Sequence, residues 1–87
     1  MNISITSAVE KKFIKLAKKD PALSKIIDQR LVQFQENPRH PSLRVHKLTG
    51  KVKGAWSLSV TEGYRLLFDY IEDGILVVDI GTHEQVY

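Results

Sequence analysis

Apolar positions recur along this chain with two different periods, and the change falls near Pro41. Asn2–Ile5 alternates polar residues with Ile3 and Ile5, which is the period of a strand. Val9, Phe13, Leu16 and Ala17 then recur at three- and four-residue spacing and predict a helix with one buried face. Lys11, Lys12, Lys15, Lys18 and Lys19 occupy its other side. Ser7 and Glu10 have the spacing of a capping box, in which each side chain satisfies the other's backbone N–H at a helix start. Asp20-Pro21 ends that helix and opens a second one, since Asp is a good N-cap and Pro is tolerated in a first turn. Leu23, Ile26, Ile27, Leu31 and Phe34 mark its buried stripe, and Asn37-Pro38 closes it.

Beyond Pro41 the pattern turns strand-like. Arg44–Leu48 is a short candidate strand followed by a turn at Thr49-Gly50. Ala55–Val60 sets Trp56, Leu58 and Val60 against Ser57 and Ser59, a strand with one apolar face. Glu62-Gly63 supplies a turn, and Tyr64–Ile71 and Ile75–Ile80 form a hairpin through Glu72-Asp73-Gly74. The order predicts an α+β domain in which an N-terminal strand and a helical hairpin pack on one face of a small, mainly antiparallel sheet. Two helices cover one face only, so the other must be solvated or bind something. Ser57 and Ser59 are expected on that open side. Arg65 interrupts the run YRLLFDYI. A cation inside a sheet has to be paired, solvated or used, and Asp69 or Asp79 is its structural partner if it is paired.

Composition narrows the class. Eighty-seven residues, 43% hydrophobic and 26% charged, fit one globular domain spanning residues 1–87. There is no cysteine, so neither a disulfide framework nor a cysteine metal site is available. No apolar run approaches the roughly 20 residues that span a bilayer, and MNISITSAVEKKF lacks the layout of a signal peptide. The expected address is the cytoplasm, with no membrane partner. The net charge is only +3, yet residues 1–54 carry a balance of +8 and residues 55–87 one of −5. The cationic half is either a solvated helix face or a surface for polyanions.

Paired-carboxylate, phosphate-loop, nucleophile-elbow and zinc motifs are all missing. His40, His46 and His83 have none of the short spacings that metal sites favour. His40 is read as structural. His83 follows Gly81-Thr82 past the last strand, and His46 lies among Arg44, Lys47, Lys51 and Lys53.

Taken in order, these elements resemble one family. H-x-L-x-G at 46–50, K-G-x-W at 53–56, Y-R-L-L-F at 64–68 and a terminal G-T-H at 81–83 followed by Tyr87 resemble the RelE/ParE superfamily of bacterial toxins. The likeness is nearest to RelE-type mRNA interferases of the YafQ-like group, and it covers nearly the whole chain. It implies a β-α-α-β-β-β(-β) fold and a ribosome-dependent endoribonuclease that cuts mRNA in the ribosomal A site. It also implies contact with ribosomal RNA and neutralisation by a cognate antitoxin. No metal or other cofactor is implied: the nucleotide's own 2′-OH attacks the adjacent phosphorus and leaves a 2′,3′-cyclic phosphate. By the same resemblance His83, Arg65, His46 and Tyr87 are the catalytic residues, and Arg44, Lys47, Lys51 and Lys53 meet RNA. Histidine titrates nearest neutral pH and suits either proton-transfer role, while arginine suits a phosphate in flight.

Two departures from the pattern stand out. Histidine-using members often carry a further histidine in the strand where this chain has Ser57 and Ser59, and some have an acid and Trp where it has Tyr64-Arg65. Acid and base are therefore left unassigned. Two alternatives share the fold: a ParE-like inhibitor of DNA gyrase, and a catalytically weakened toxin that only binds its antitoxin.

Overall fold

A computed structural model describes residues 1–49 and 54–86. Strand β1 (Asn2–Ile5) leads into helices α1 (Ser7–Lys19) and α2 (Pro21–Glu36). A 3-10 turn at Pro41–Leu43 precedes β2 (His46–Lys47), β3 (Trp56–Thr61), β4 (Tyr64–Ile71), β5 (Gly74–Thr82) and a last short helix, α3 (His83–Val86). The five strands form one sheet in the order β1-β5-β4-β3-β2. β1 runs parallel to β5, and the other three pairings are antiparallel.

The expected α+β arrangement is observed, with differences at the element ends. Thr6, not Ser7, caps α1: its Oγ1 accepts from the Val9 N–H at 3.2 Å, and its backbone is extended where Ser7 is already helical. The predicted Ser7–Glu10 box does not form: the cap moves back to Thr6, and Val9 at the reciprocal position has no side-chain acceptor. Asp20 does cap α2, accepting from the Leu23 N–H at 3.1 Å, with Pro21 in the first turn. β2 is shorter than Arg44–Leu48 because Arg44 is left-handed (φ 48°) at the end of the 3-10 turn. His40 caps that turn, its Nδ1 accepting from the Ser42 N–H, which is the structural role expected of it. β5 runs past Ile80, because backbone pairing with β4 continues to Tyr64↔Thr82 after the apolar alternation has stopped.

The main core lies between the helices and one sheet face. Val9, Ile27 and Phe34 from α1 and α2 meet Leu58, Val60, Leu66, Phe68, Ile75, Val77 and Ile80 from the strands. The rings of Phe34 and Phe68, both fully buried, meet edge to face with centroids 5.3 Å apart. The other face is less open than expected. Leu48, Ala55, Leu67 and Val86 form a second small cluster there, with Val78 against it. Two adjacent leucines, Leu66 and Leu67, serve one core each, and α3 folds back to supply Val86.

Candidate active site

Arg65 lies on the face away from α1 and α2, alternating along β4 with the core residue Leu66. Its cross-strand neighbours are Ser59 on β3 and Gly81 on β5. Its Nη1 donates to Ser59 Oγ at 2.6 Å and to the Thr61 carbonyl at 2.9 Å. Neither anticipated carboxylate holds it, since Asp79 pairs with Lys12 of α1 instead. Among the described residues no buried side-chain nitrogen or oxygen lacks a partner, so the remaining N–H groups of Arg65 reach solvent. The site therefore holds an oriented guanidinium that no carboxylate among the described residues neutralises.

The acceptors that orient Arg65 come from an irregularity in β3. The register between β3 and β4 shifts between Ser59 and Thr61, which turns backbone carbonyls out of the ladder. Arg30 of α2 satisfies the Val60 carbonyl through Nε at 3.1 Å, while Arg65 takes that of Thr61. Two arginines thus fix one distortion. Arg30 had escaped the functional reading, although it sits three residues after Ile27 and four before Phe34, within the apolar stripe of α2. A cation at such a position needs buried oxygen, and that was the available signal.

His83 opens α3, and its backbone N–H donates to the Gly63 carbonyl in the β3–β4 turn at 3.2 Å. It lies two residues beyond Gly81, the cross-strand partner of Arg65, so both groups belong to the same end of β4 and β5. A reciprocal box holds the helix start: Gln85 Oε1 accepts from the Thr82 N–H at 2.9 Å, and Thr82 Oγ1 accepts from the Gln85 N–H at 3.3 Å. Gly81 lets the helix come this close, because a Cβ there would press on Gln85 Oε1 at 2.8 Å and Val86 Cγ1 at 3.1 Å. Tyr64 stands beside this corner. Its burial, then the carboxylates of Asp79 and Asp20, raise its phenol pKa above the ordinary value.

The other candidates are more scattered. His46 is exposed and pairs with Ser57, so it shares the face of Ser57 and Ser59, but two strands separate it from His83. Its Nδ1 lies 2.8 Å from the Arg44 carbonyl, which can only accept, so Nδ1 carries a proton and donates it. Lys47 pairs with Trp56 and sits on the helix-bearing face, opposite His46. Arg44 is exposed beside the edge strand. Lys51, Lys53 and Tyr87 lie outside the described residues. Among those described, no three His, Asp or Glu side chains gather as a metal site, and no helix is long and apolar enough to cross a membrane.

Comparison with known proteins places this geometry. The family model described as the ParE toxin of type II toxin-antitoxin system, parDE, matches residues 3–87. A YoeB/ParE toxin from Agrobacterium tumefaciens superposes with a TM-score of 0.78 at 18% identity, over 95% of this chain and 99% of that one. YafQ from E. coli strain BL21(DE3) gives 0.78 at 18%, over 99% and 97%. The YoeB-YefM complex from Staphylococcus aureus gives 0.77 at 17%, over 95% and 97%. At these identities the likeness establishes the fold. No curated protein matches the sequence.

Proposed function

The chain belongs to the ParE toxin family of type II toxin–antitoxin systems, within the RelE/ParE superfamily, and from that premise we propose that it is a ribosome-dependent mRNA endoribonuclease. The observation that carries this reading is Arg65, held by neutral oxygens on the sheet face near the β3–β4 turn to which the His83 backbone is tied. Cleavage by an internal 2′-OH needs a base for that hydroxyl, cations for charge building on the phosphoryl oxygens and an acid for the departing 5′-oxygen. Arg65 supplies the charge. His83, with His46 along the same face, supplies proton transfer: one group takes the 2′-OH proton as the new P–O bond forms, and another protonates the leaving oxygen. Tyr87, by its place in the terminal motif, stacks on a base or donates its hydroxyl. Arg44, Lys47, Lys51 and Lys53 meet the RNA backbone, and ribosomal RNA meets the lysine face of α1.

A cognate antitoxin completes the system. YoeB and YafQ have each been solved as complexes, with YefM and DinJ respectively. We assign this chain a partner of the same kind, in which an acidic segment folds onto the cationic half.

The match to the ParE model favours a second reading, a gyrase inhibitor on the same fold that acts by binding alone. Mapping of mRNA 5′ ends after brief induction, alongside an assay for gyrase-linked DNA breaks, separates the two. The wild type is expected to cut in the A site, with His83→Gln slower by about 10²–10⁴-fold. Cleavage that survives loss of both His83 and Arg65 removes the mechanism, and DNA breaks with intact mRNA establish the second reading.

A further inference from the structure

Tyr70 is 51% exposed although two aromatic neighbours hold its ring. Trp56 meets it edge-on at 5.2 Å and 79°, and Phe68 at 5.4 Å and 82°. Tyr70 alternates with Asp69 and shares the helix-bearing face with Phe68, so it lies on the opposite face from Arg65. A half-exposed aromatic ring held by its neighbours is a ready stacking surface, since its position is already fixed before a ligand arrives.

Its surroundings are cationic. Tyr70 lines a cleft of about 360 Å³ with Arg39, His40, Pro41, Arg44 and Val45, and no acid lines it. Arg44 also borders an adjoining cleft of about 330 Å³ with Arg30, Ser59 and Thr61, where Glu62 is the acid at the rim. Ser59 and Thr61 are the residues that hold Arg65. The two clefts therefore link the residues that hold Arg65 to Tyr70, with Arg44, just ahead of β2, common to both. Neither the Arg39 nor the Arg44 guanidinium has a protein partner among the described residues.

We propose that this path is a binding track for the single-stranded RNA being cut. The strand leaves Arg65, passes its phosphates over Arg44 and Arg39, and stacks an unpaired base on Tyr70. The inference rests on the reading that Arg65 and His83 handle RNA, and it extends the substrate beyond the scissile nucleotide pair. Cations spaced along a groove that ends on an aromatic platform suit single strands without sequence choice.

The test uses 2′-O-methylated single strands, a trinucleotide and a decanucleotide, which bind without being cut. Fluorescence anisotropy at low salt is expected to show the wild type holding the longer strand more tightly. Tyr70→Ala abolishes that gain, a loss of about 5- to 150-fold for one stacked base, whereas Tyr70→Phe retains it. Arg39→Gln lowers the salt slope for the longer strand by about 0.7. Equal affinity for both lengths in the wild type, a gain that survives Tyr70→Ala, or a gain lost in Tyr70→Phe each overturns the proposal. If Tyr70→Ala fails to fold by circular dichroism, Arg39→Gln decides, and an unchanged salt slope overturns it. A length-dependent gain without mRNA cleavage on ribosomes sinks the nuclease and leaves the track; cleavage without the gain does the reverse.

Discussion

At the level of single residues, the central fact is how Arg65 is held. A carboxylate would fix the guanidinium equally well but would also cancel the charge that a phosphate needs. Ser59 Oγ and the Thr61 carbonyl orient it and leave its charge available. Ser59 is then a positioning residue for Arg65. Removing its hydroxyl forfeits a hydrogen bond to a charged group, about 1.5–3 kcal/mol. Ser59→Ala is expected to slow cleavage by roughly tenfold or more, with the loss in kcat rather than KM. Ser59→Thr, which keeps the oxygen, should recover most of the rate. Equal losses in both variants would assign Ser59 a packing role only.

Among the elements, α3 is the short helix that bears His83, a residue of the proposed site. Four residues do not hold themselves together in water, so the helix depends on the Thr82–Gln85 box, on Gly81 and on Val86 in the second core. Gln85→Ala is expected to cost about 0.5–2 kcal/mol locally and to loosen His83. Hydrogen exchange at the Thr82 and Gln85 amides should accelerate and cleavage fall, while the main core melts at nearly the same temperature. Unchanged exchange at those amides would show that the box contributes nothing.

These same elements show where the sequence was readable. The helix stripes, the Asp20 cap and the alternation in β3 and β4 were legible because each is a local pattern with one solution. Thr6 displaced Ser7 because two neighbouring hydroxyl residues compete for one cap, and backbone angles decide between them. α3 and the end of β5 were missed for another reason. Gly81 and Thr82 have no apolar period to extend, although T-H-E-Q had the spacing of a capping box. The placement of Arg65 on the sheet was readable, but its partners were not. They arise from a register shift, which no one-dimensional pattern records.

For the whole molecule, the arrangement of the sheet matters more than its size. Every strand pairing except one joins neighbours in sequence order. The exception is β1, whose Asn2 pairs with Gly74 and donates its backbone N–H to the Asp73 carbonyl. A Cβ on Gly74 would collide with the Asn2 backbone. Gly74→Ala is expected to destabilise the fold by about 1–3 kcal/mol, read as a lower urea midpoint. A midpoint equal to that of the wild type would show that β1 yields freely.

The long reach from β1 to β5 also bears on how the protein comes into being. Strand pairs that join distant stretches of chain form late, after the loop between them has closed. Residues 2–5 must here wait for residues 74–77 before their edge of the sheet is sealed. Gly81 and His83 continue from the same strand β5, so the proposed site is completed only after that strand has been made.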